Sequence, residues 1–318
     1  MKKIGTDVQK AAGLLNAGKL VGLPTETVYG LAANALNREA VMSIFTAKKR
    51  PAFDPLIVHV HDAGEMEKYA YVDEFTRRLA ARFCPGPVTF ILAKKPVVPD
   101  EVTSGLATVG LRVPRHPIAL ELLCKLKFPL AAPSANLFGT TSPGTARDVE
   151  ESLGEAVSFV LDGGACEVGV ESTIIKLVDG EIEVLRLGGL ALEEIEEAAG
   201  KKVQRVKTSS SRPEAPGMLH KHYNPGIAVR MVDFDGDLSE FEHKRIAVIS
   251  FRTRTLETPV VANEALSKSG DVREAARNLF GALRRAGKSG ADVILTELLP
   301  EEGLGRAVND RLRRAAVE

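Results

Sequence analysis

The chain has 318 residues, 44% of them hydrophobic and 26% charged, an ordinary globular composition that suggests about two domains at roughly 150 residues each. Its 42 Lys+Arg balance its 42 Asp+Glu, which excludes a polybasic protein that binds nucleic acid through bulk charge but leaves room for a local basic cleft. Cys84, Cys124 and Cys166 are far apart, odd in number and form no CxxC pair; a zinc ribbon is disfavoured and reduced thiols are expected.

In chain order, Thr6 or Asp7 can cap a helix with Val8, Ala11, Leu14 and Leu15 on one face, and Gly18 stops it. Lys19–Leu23 is a short apolar strand ending at Pro24. Asn37 caps a second helix that carries Val41, Ile44 and Phe45. Leu56–Val60 reads as a strand, and Asp73–Phe83 as a helix broken by Cys84-Pro85-Gly86-Pro87. Strands are expected at Val88–Ala93, Thr108–Val113, Ser158–Leu161, Thr173–Val178 and Ile182–Leu187. Helices are expected at Pro117–Lys125, Thr145–Ser152 and Ala191–Ala199. Lys201–Glu214 is basic and Ser-rich with little apolar periodicity, a linker signature that runs on to Asn224-Pro225-Gly226. A second αβ run follows. Its strands are Ile227–Val232, Arg245–Ser250, Pro259-Val260-Val261 and Ala291–Leu295; its helices are Asp271–Ala286 and Gly305–Ala315. Strands alternating with helices predict a small, largely parallel sheet. Arg311, Arg313 and Arg314 in the last helix read as a solvated face. No apolar region follows Met1-Lys2-Lys3 and no run of about 18 apolar residues occurs, so a cytoplasmic protein without a membrane span is expected.

Three polar clusters stand out, two of them directly after short apolar strands, the places where open α/β sheets bind ligands. Pro24-Thr25-Glu26-Thr27-Val28-Tyr29-Gly30-Leu31 gathers hydroxyls, a carboxylate and a phenol; by itself it is equally a capped turn. Lys48-Lys49-Arg50-Pro51 places two cations where a helix gives way to extended chain. They can hold a polyphosphate, or merely complement the helix dipole. Ala131-Ala132-Pro133-Ser134-Ala135-Asn136, continuing to Ser142, offers backbone N–H groups and small polar side chains to phosphates. Arg112 and Arg186 lie in apolar strands, and Glu171-Ser172-Thr173 precedes another. A buried arginine needs an anionic partner, either a ligand or a structural Asp or Glu.

Other patterns fail. Gly287-Lys288-Ser289 lies in a helix and lacks the spacing of a P-loop. Asp233-Phe234-Asp235-Gly236-Asp237 lacks the spacing of a calcium loop. His59 with His61, and His220 with His222, have no clear third ligand, so no metal held by protein side chains is expected. There is no Gly-x-Ser-x-Gly elbow.

In this order, Pro24-Thr25-Glu26-Thr27-Val28-Tyr29-Gly30-Leu31, Lys48-x-Arg50-Pro51, Pro55-Leu56-Ile57-Val58-His59 and Pro133-Ser134-Ala135-Asn136 resemble the YrdC-like family of threonylcarbamoyl-AMP synthases. The likeness covers about residues 5–205. Pro216-Gly217-Met218-Leu219-His220-Lys221-His222-Tyr223-Asn224-Pro225 and the trailing αβ segment resemble the long, two-domain form. The resemblance implies an open twisted mixed α/β sheet as the catalytic domain (1–205), a linker or lid (206–226) and a smaller Rossmann-like α/β C-terminal domain (227–318). The implied reaction joins L-threonine, bicarbonate or CO2, and ATP into threonylcarbamoyl-AMP and pyrophosphate. It is the first step of tRNA threonylcarbamoyladenosine modification beside the anticodon. Such a nucleotidyl transfer needs positioning and charge neutralisation more than a covalent nucleophile.

By the same resemblance, Thr27, His59, Arg112, Ala132 and Ser172 would surround threonine. Arg50, Asp54, Thr108, Ser134, Asn136, Ser142, Arg186 and Tyr223 would surround ATP, with Lys48 and Arg50 stabilising transition-state charge. An acidic residue at position 54 suits ribose or adenine better than phosphate. Mg2+ would be held mainly by the ATP phosphates. The implied partners are ATP, L-threonine and bicarbonate, then tRNA and a downstream threonylcarbamoyl-transferase complex. An RNA-binding module is a competing reading, weakened by 5% aromatic content and no Trp. A carbamoyl-transferring relative from hydrogenase maturation would add zinc-finger cysteines and an acylphosphatase-like segment, and this chain has neither.

Overall fold

The computed structural model describes residues 3–178, 180–205, 213–218, 222–256 and 259–317. Lys207, Thr208-Ser209-Ser210-Ser211, Arg212, His220 and Lys221, all read above as linker, lie outside the described residues.

The first part of the chain runs β1 (Ile4–Gly5), α1 (Val8–Asn16), β2 (Val21–Leu23), β3 (Gly30–Asn34), α2 (Arg38–Lys48), β4 (Ile57–His59), α3 (Glu74–Phe83), β5 (Val88–Ala93) and α4 (Asp100–Thr103). It continues with β6 (Thr108–Arg112), α5 (Pro117–Lys125), β7 (Leu130–Ala131), α6 (Ala146–Leu153), β8 (Phe159–Leu161), β9 (Thr173–Val178), β10 (Glu181–Arg186), α7 (Leu192–Ala199) and β11 (Gln204–Arg205). These strands form one mixed sheet in the order β1-β8-β2-β3-β7-β4-β6-β5-β9-β10-β11. The second part supplies β12 (Ala228–Met231), β13 (Ile246–Ser250), β14 (Val260–Ala265), α8 (Val272–Gly287), β15 (Val293–Thr296) and α9 (Gly305–Ala315). Its sheet, β12-β15-β13-β14, is parallel throughout. The expected mixed sheet followed by a smaller parallel α/β sheet is what the chain forms. No helix among the described residues is long and apolar enough to cross a membrane.

Local chemistry accounts for the helix starts. Asp7, Asn37, Asp73 and Asp271 each accept a bond from a backbone N–H in the first turn of their helices. Thr145 and Asp148 form a reciprocal capping box at α6. Each cap satisfies a backbone donor that the helix itself cannot.

Two expectations need correction. Gln204–Arg205, inside the expected linker signature, pairs parallel with β10 as an edge strand of the large sheet. The other concerns α9. Arg311 is fully buried and Arg314 nearly so, while only Arg313 of the three arginines is substantially exposed, beside Glu301. Arg311 shares a helix face with Ala307, Val308, Leu312 and Ala315, all buried, and this face turns toward the first domain. The two parts dock closely. Gly169 has φ +79°, and a Cβ there would sit 2.2 Å from the Cα of Arg277 on α8, so only glycine allows that approach. Tyr223 joins the seam, its ring 5.2 Å from that of Phe280 on α8.

Candidate active site

β4 ends at His59 and β6 at Arg112, and the parallel register sets these two residues side by side. β2 runs into the Pro24–Thr27 turn, β7 into the loop from Ala132 to Asn136, and β10 ends at Arg186. Ser172 immediately precedes β9. All of these ends meet at one narrow cavity of about 50 Å³. His59, Arg112, Ala132 and Ser172 line it from the expected threonine set; Arg50, Ser134, Arg186 and Tyr223 line it from the expected nucleotide set. Thr27 is buried just behind, its hydroxyl 2.9 Å from the hydroxyl of Thr25, which lines the cavity. Thr108 is not brought in. It sits four residues before Arg112 on β6, about 13 Å away at roughly 3.3 Å per residue, beside Lys95 and Lys176 at a different surface pocket.

On one side of the cavity, Arg112 Nη2 lies 2.8 Å from Glu26 Oε1, and both groups are buried. Glu26 Oε2 also accepts from the backbone N–H of Arg115. The structural carboxylate is therefore present, yet Arg112 Nε has no hydrogen-bond partner among the described residues, nor has His59 Nδ1. Burial, reinforced by the Arg112 charge, lowers His59 to about 3, so it is a neutral imidazole. A neutral ring nitrogen and a guanidinium with an unused N–H have the chemistry to receive a carboxylate. The Ser172 hydroxyl is 2.8 Å from that of Thr89.

On the other side, Lys48 is fully enclosed and donates to the carbonyls of Ser134 and Asn136 at 2.5 and 2.6 Å. Burial and the nearby Arg50 push its ammonium well below the usual lysine range. Arg50 folds back on its own loop: Nε donates to the Asp54 carbonyl at 3.0 Å and Nη2 to that of Pro55 at 2.8 Å. Nη2 also meets Asp54 Oδ1 at 2.9 Å. Burial works against both charges, raising Asp54 and lowering Arg50, and their contact offsets part of that cost. Asp54 thus serves Arg50 here. Asn136 spans its loop, donating to the carbonyls of Leu137 and Thr140, with Oδ1 buried and unpartnered. Ser142 donates to Glu171 Oε1 at 2.6 Å.

The roof comes from the linker and the second domain. Arg186 donates to the carbonyl of Ser172 through Nε and Nη2, and to that of Pro216 through Nη1 at 3.2 Å. Pro216, Gly217, His222 and Tyr223 close the cavity. The Tyr223 ring lies under the guanidinium groups of Arg314 and Arg311, at 4.9 and 5.6 Å. The backbone N–H of His222 donates to the Arg314 carbonyl.

Thr25, Glu26, Glu171, His222 and Arg311 take part without having been given roles from the sequence. Glu26 and Glu171 stood inside noted clusters, and a carboxylate beside candidate arginines was their signal. Arg311 was signalled by its i+3 and i+4 spacing from Val308 and Ala307. A wider cleft of about 560 Å³ lies between α6 with the 138–141 loop and the end of α8. Its cations are paired, Arg284 with Asp148 and Lys288 with Glu151, so it makes a weaker claim on an anion.

A family model described as Telomere recombination, covering Sua5, YciO and YrdC, matches residues 13–188. A second, described as Threonylcarbamoyl-AMP synthase, C-terminal domain, matches residues 190–317. The threonylcarbamoyl-AMP synthase of Pyrococcus abyssi is 42% identical over 97% of this chain and 94% of its own length. That of Bacillus subtilis is 35% identical over 97% and 92%. The solved structure of P. abyssi Sua5 complexed with L-threonine superposes with a TM-score of 0.90, covering 97% of this chain and 94% of that one. Both domains and their order agree: the chain belongs to the two-domain threonylcarbamoyl-AMP synthase family, enzymes of the nucleotidyltransferase type.

Proposed function

We propose that the cavity joins L-threonine, bicarbonate or CO2, and ATP into threonylcarbamoyl-AMP, releasing pyrophosphate. The observation that carries the reading is an excess of buried positive charge. Three buried ion pairs surround the cavity: Arg112 with Glu26, Arg50 with Asp54, and Arg311 with Glu171. Lys48 and Arg186 are buried beside them, and their hydrogen bonds go to neutral oxygens. Two such cations in a low-dielectric pocket are costly alone and favour a polyanion.

Threonine sits with its carboxylate on Arg112 and His59, near Thr27, Ala132 and Ser172. Its amine captures CO2 as a carbamate, and a carbamate oxygen attacks the α-phosphorus while pyrophosphate leaves. Lys48, Arg50 and Arg186 hold the phosphates and neutralise charge as it moves to the leaving group. Ser134, Asn136, Ser142 and Tyr223 flank the nucleotide, and Asp54 keeps Arg50 in place. Thr108 has no part in this arrangement. Mg2+ fits as an ion carried by ATP and water, since Asp54 and Glu171 are each committed to an arginine. A cavity of about 50 Å³ cannot admit ATP, so the roof residues Pro216, Gly217, His222 and Tyr223 move aside for entry and then exclude water from a labile carbamate and mixed anhydride. The product passes to a transferase that acts on a tRNA adenosine beside the anticodon, as the family chemistry implies, in the cytoplasm.

The test is pyrophosphate release from ATP. It should require L-threonine and bicarbonate together. Equal rates with either omitted, or with any amino acid in place of threonine, would refute the reading.

A further inference from the structure

The fully buried arginine of the last helix belongs to the second domain, yet its charge is spent inside the first. Arg311 Nε and Nη2 donate to Glu171 Oε2 at 3.1 and 2.9 Å. Its Nη1 donates to the carbonyl of Leu187 at 2.6 Å and approaches Asp310 at 3.1 Å. Glu171 lines the cavity, and its other oxygen accepts from Ser142. We propose that Arg311 is a positioning residue of the active site, which cancels the Glu171 charge and aims that carboxylate at Ser142 so that the nucleotide phosphates meet a net positive pocket. The inference deepens the function proposed above and rests on it.

Burial alone would raise Glu171. Arg311, Arg186 and the Ser142 hydroxyl outweigh it and hold the group at about 2. Lys48, Tyr223 and His222 also face it. Burial holds His222 well below its usual range, so it does not titrate near neutrality. Without Arg311 an unscreened carboxylate would face the phosphates, and a buried anion with a weaker set of partners takes up a proton at higher pH. A strut that merely joined two domains would have no such proton dependence.

The experiment is calorimetric binding of a non-hydrolysable ATP analogue to the full chain at pH 8 and pH 6, each variant compared with wild type at the same pH. Arg311→Met should weaken binding by about tenfold or more at pH 8 and recover much of it at pH 6. Arg311→Met combined with Glu171→Gln should regain most of the affinity at pH 8, since no charge is left unpaired. Arg313→Met, on the exposed side of α9, should bind like wild type. Arg311→Met binding like wild type at pH 8 would overturn the proposal. So would a loss that is the same at both pH values and is not restored by Glu171→Gln. If Arg311→Met does not fold, the double variant decides: near-wild-type binding supports the charge role, and a tenfold loss refutes it. The readout is binding, so it stands apart from the threonine requirement that tests the function itself.

Discussion

Glu26 Oε1 lies 2.8 Å from Arg112 Nη2, and neither side chain reaches solvent appreciably. The carboxylate stands where a substrate carboxylate would compete for the same guanidinium. In Glu26→Gln the arginine keeps its charge and loses its partner, which costs about 3–5 kcal/mol of stability for a buried pair. A bound threonine carboxylate would return part of that. The variant should therefore melt lower than wild type and gain more from saturating threonine. Differential scanning fluorimetry with and without threonine measures both effects; an equal or smaller threonine shift in the variant would show that Arg112 does not receive the carboxylate.

Arg50 holds two carbonyls and the Asp54 carboxylate as well as facing the cavity. Arg50→Ala should abolish most activity and also destabilise the fold, because Asp54 is left buried and unpaired. Arg50→Ala with Asp54→Asn should recover most of the stability, within about 1 kcal/mol of wild type, while pyrophosphate release stays low. Urea melts and turnover assays on both variants separate the roles. Activity that returned with stability would make Arg50 structural.

His59 titrates at about 3 when folded, against about 6.5 when unfolded. The unfolded chain therefore binds the extra proton between those values, and stability falls as pH drops through 6.5 toward 3. At pH 4.5 this single group costs about 3 kcal/mol relative to pH 7. Glu171, lowered to about 2, adds its own loss below its unfolded value of 4.5. His59→Gln should be less stable than wild type at pH 7 but lose less on going to pH 4.5. Urea midpoints at the two pH values give the comparison, and identical pH sensitivity in the two proteins would contradict a buried neutral imidazole.

Much of the molecule is written locally. Asn37, Thr145 and Asp271 announce their helices because a capping side chain acts within one turn. The polar turns after β2 and β7 announce the site because strand ends are where an open sheet can bind. What could not be read depends on distant chain. Gly30–Asn34 is small and unpatterned, and becomes a strand only by lying between β2 and β7. The pairing of Arg112 with Glu26 depends on strand order. Arg311 looked like a surface cation because charge is the stronger local signal; its burial follows from the docking of α9 against Leu187 and Glu171. Thr108 shares a strand with Arg112, but the strand's length carries it away from the site.

The roof can be tested at Gly217. Its φ is +77°, and a Cβ there would lie 3.2 Å from Arg186 Nη1 and 3.3 Å from Arg186 Cδ. The adjoining Pro216 carbonyl is the one that Arg186 holds. An alanine would add about 1 kcal/mol of left-handed backbone strain, and would press on the guanidinium that seals the cavity. Both effects favour the open roof. Gly217→Ala should raise KM for ATP severalfold while the melting temperature changes little, since the turn lies outside both sheets. Steady-state kinetics with ATP varied at saturating threonine and bicarbonate is the measurement. An unchanged KM would mean that the Pro216-Gly217 turn does not govern access, and the closure of the site would then have to come from Tyr223 and the arginines of α9 that sit over its ring.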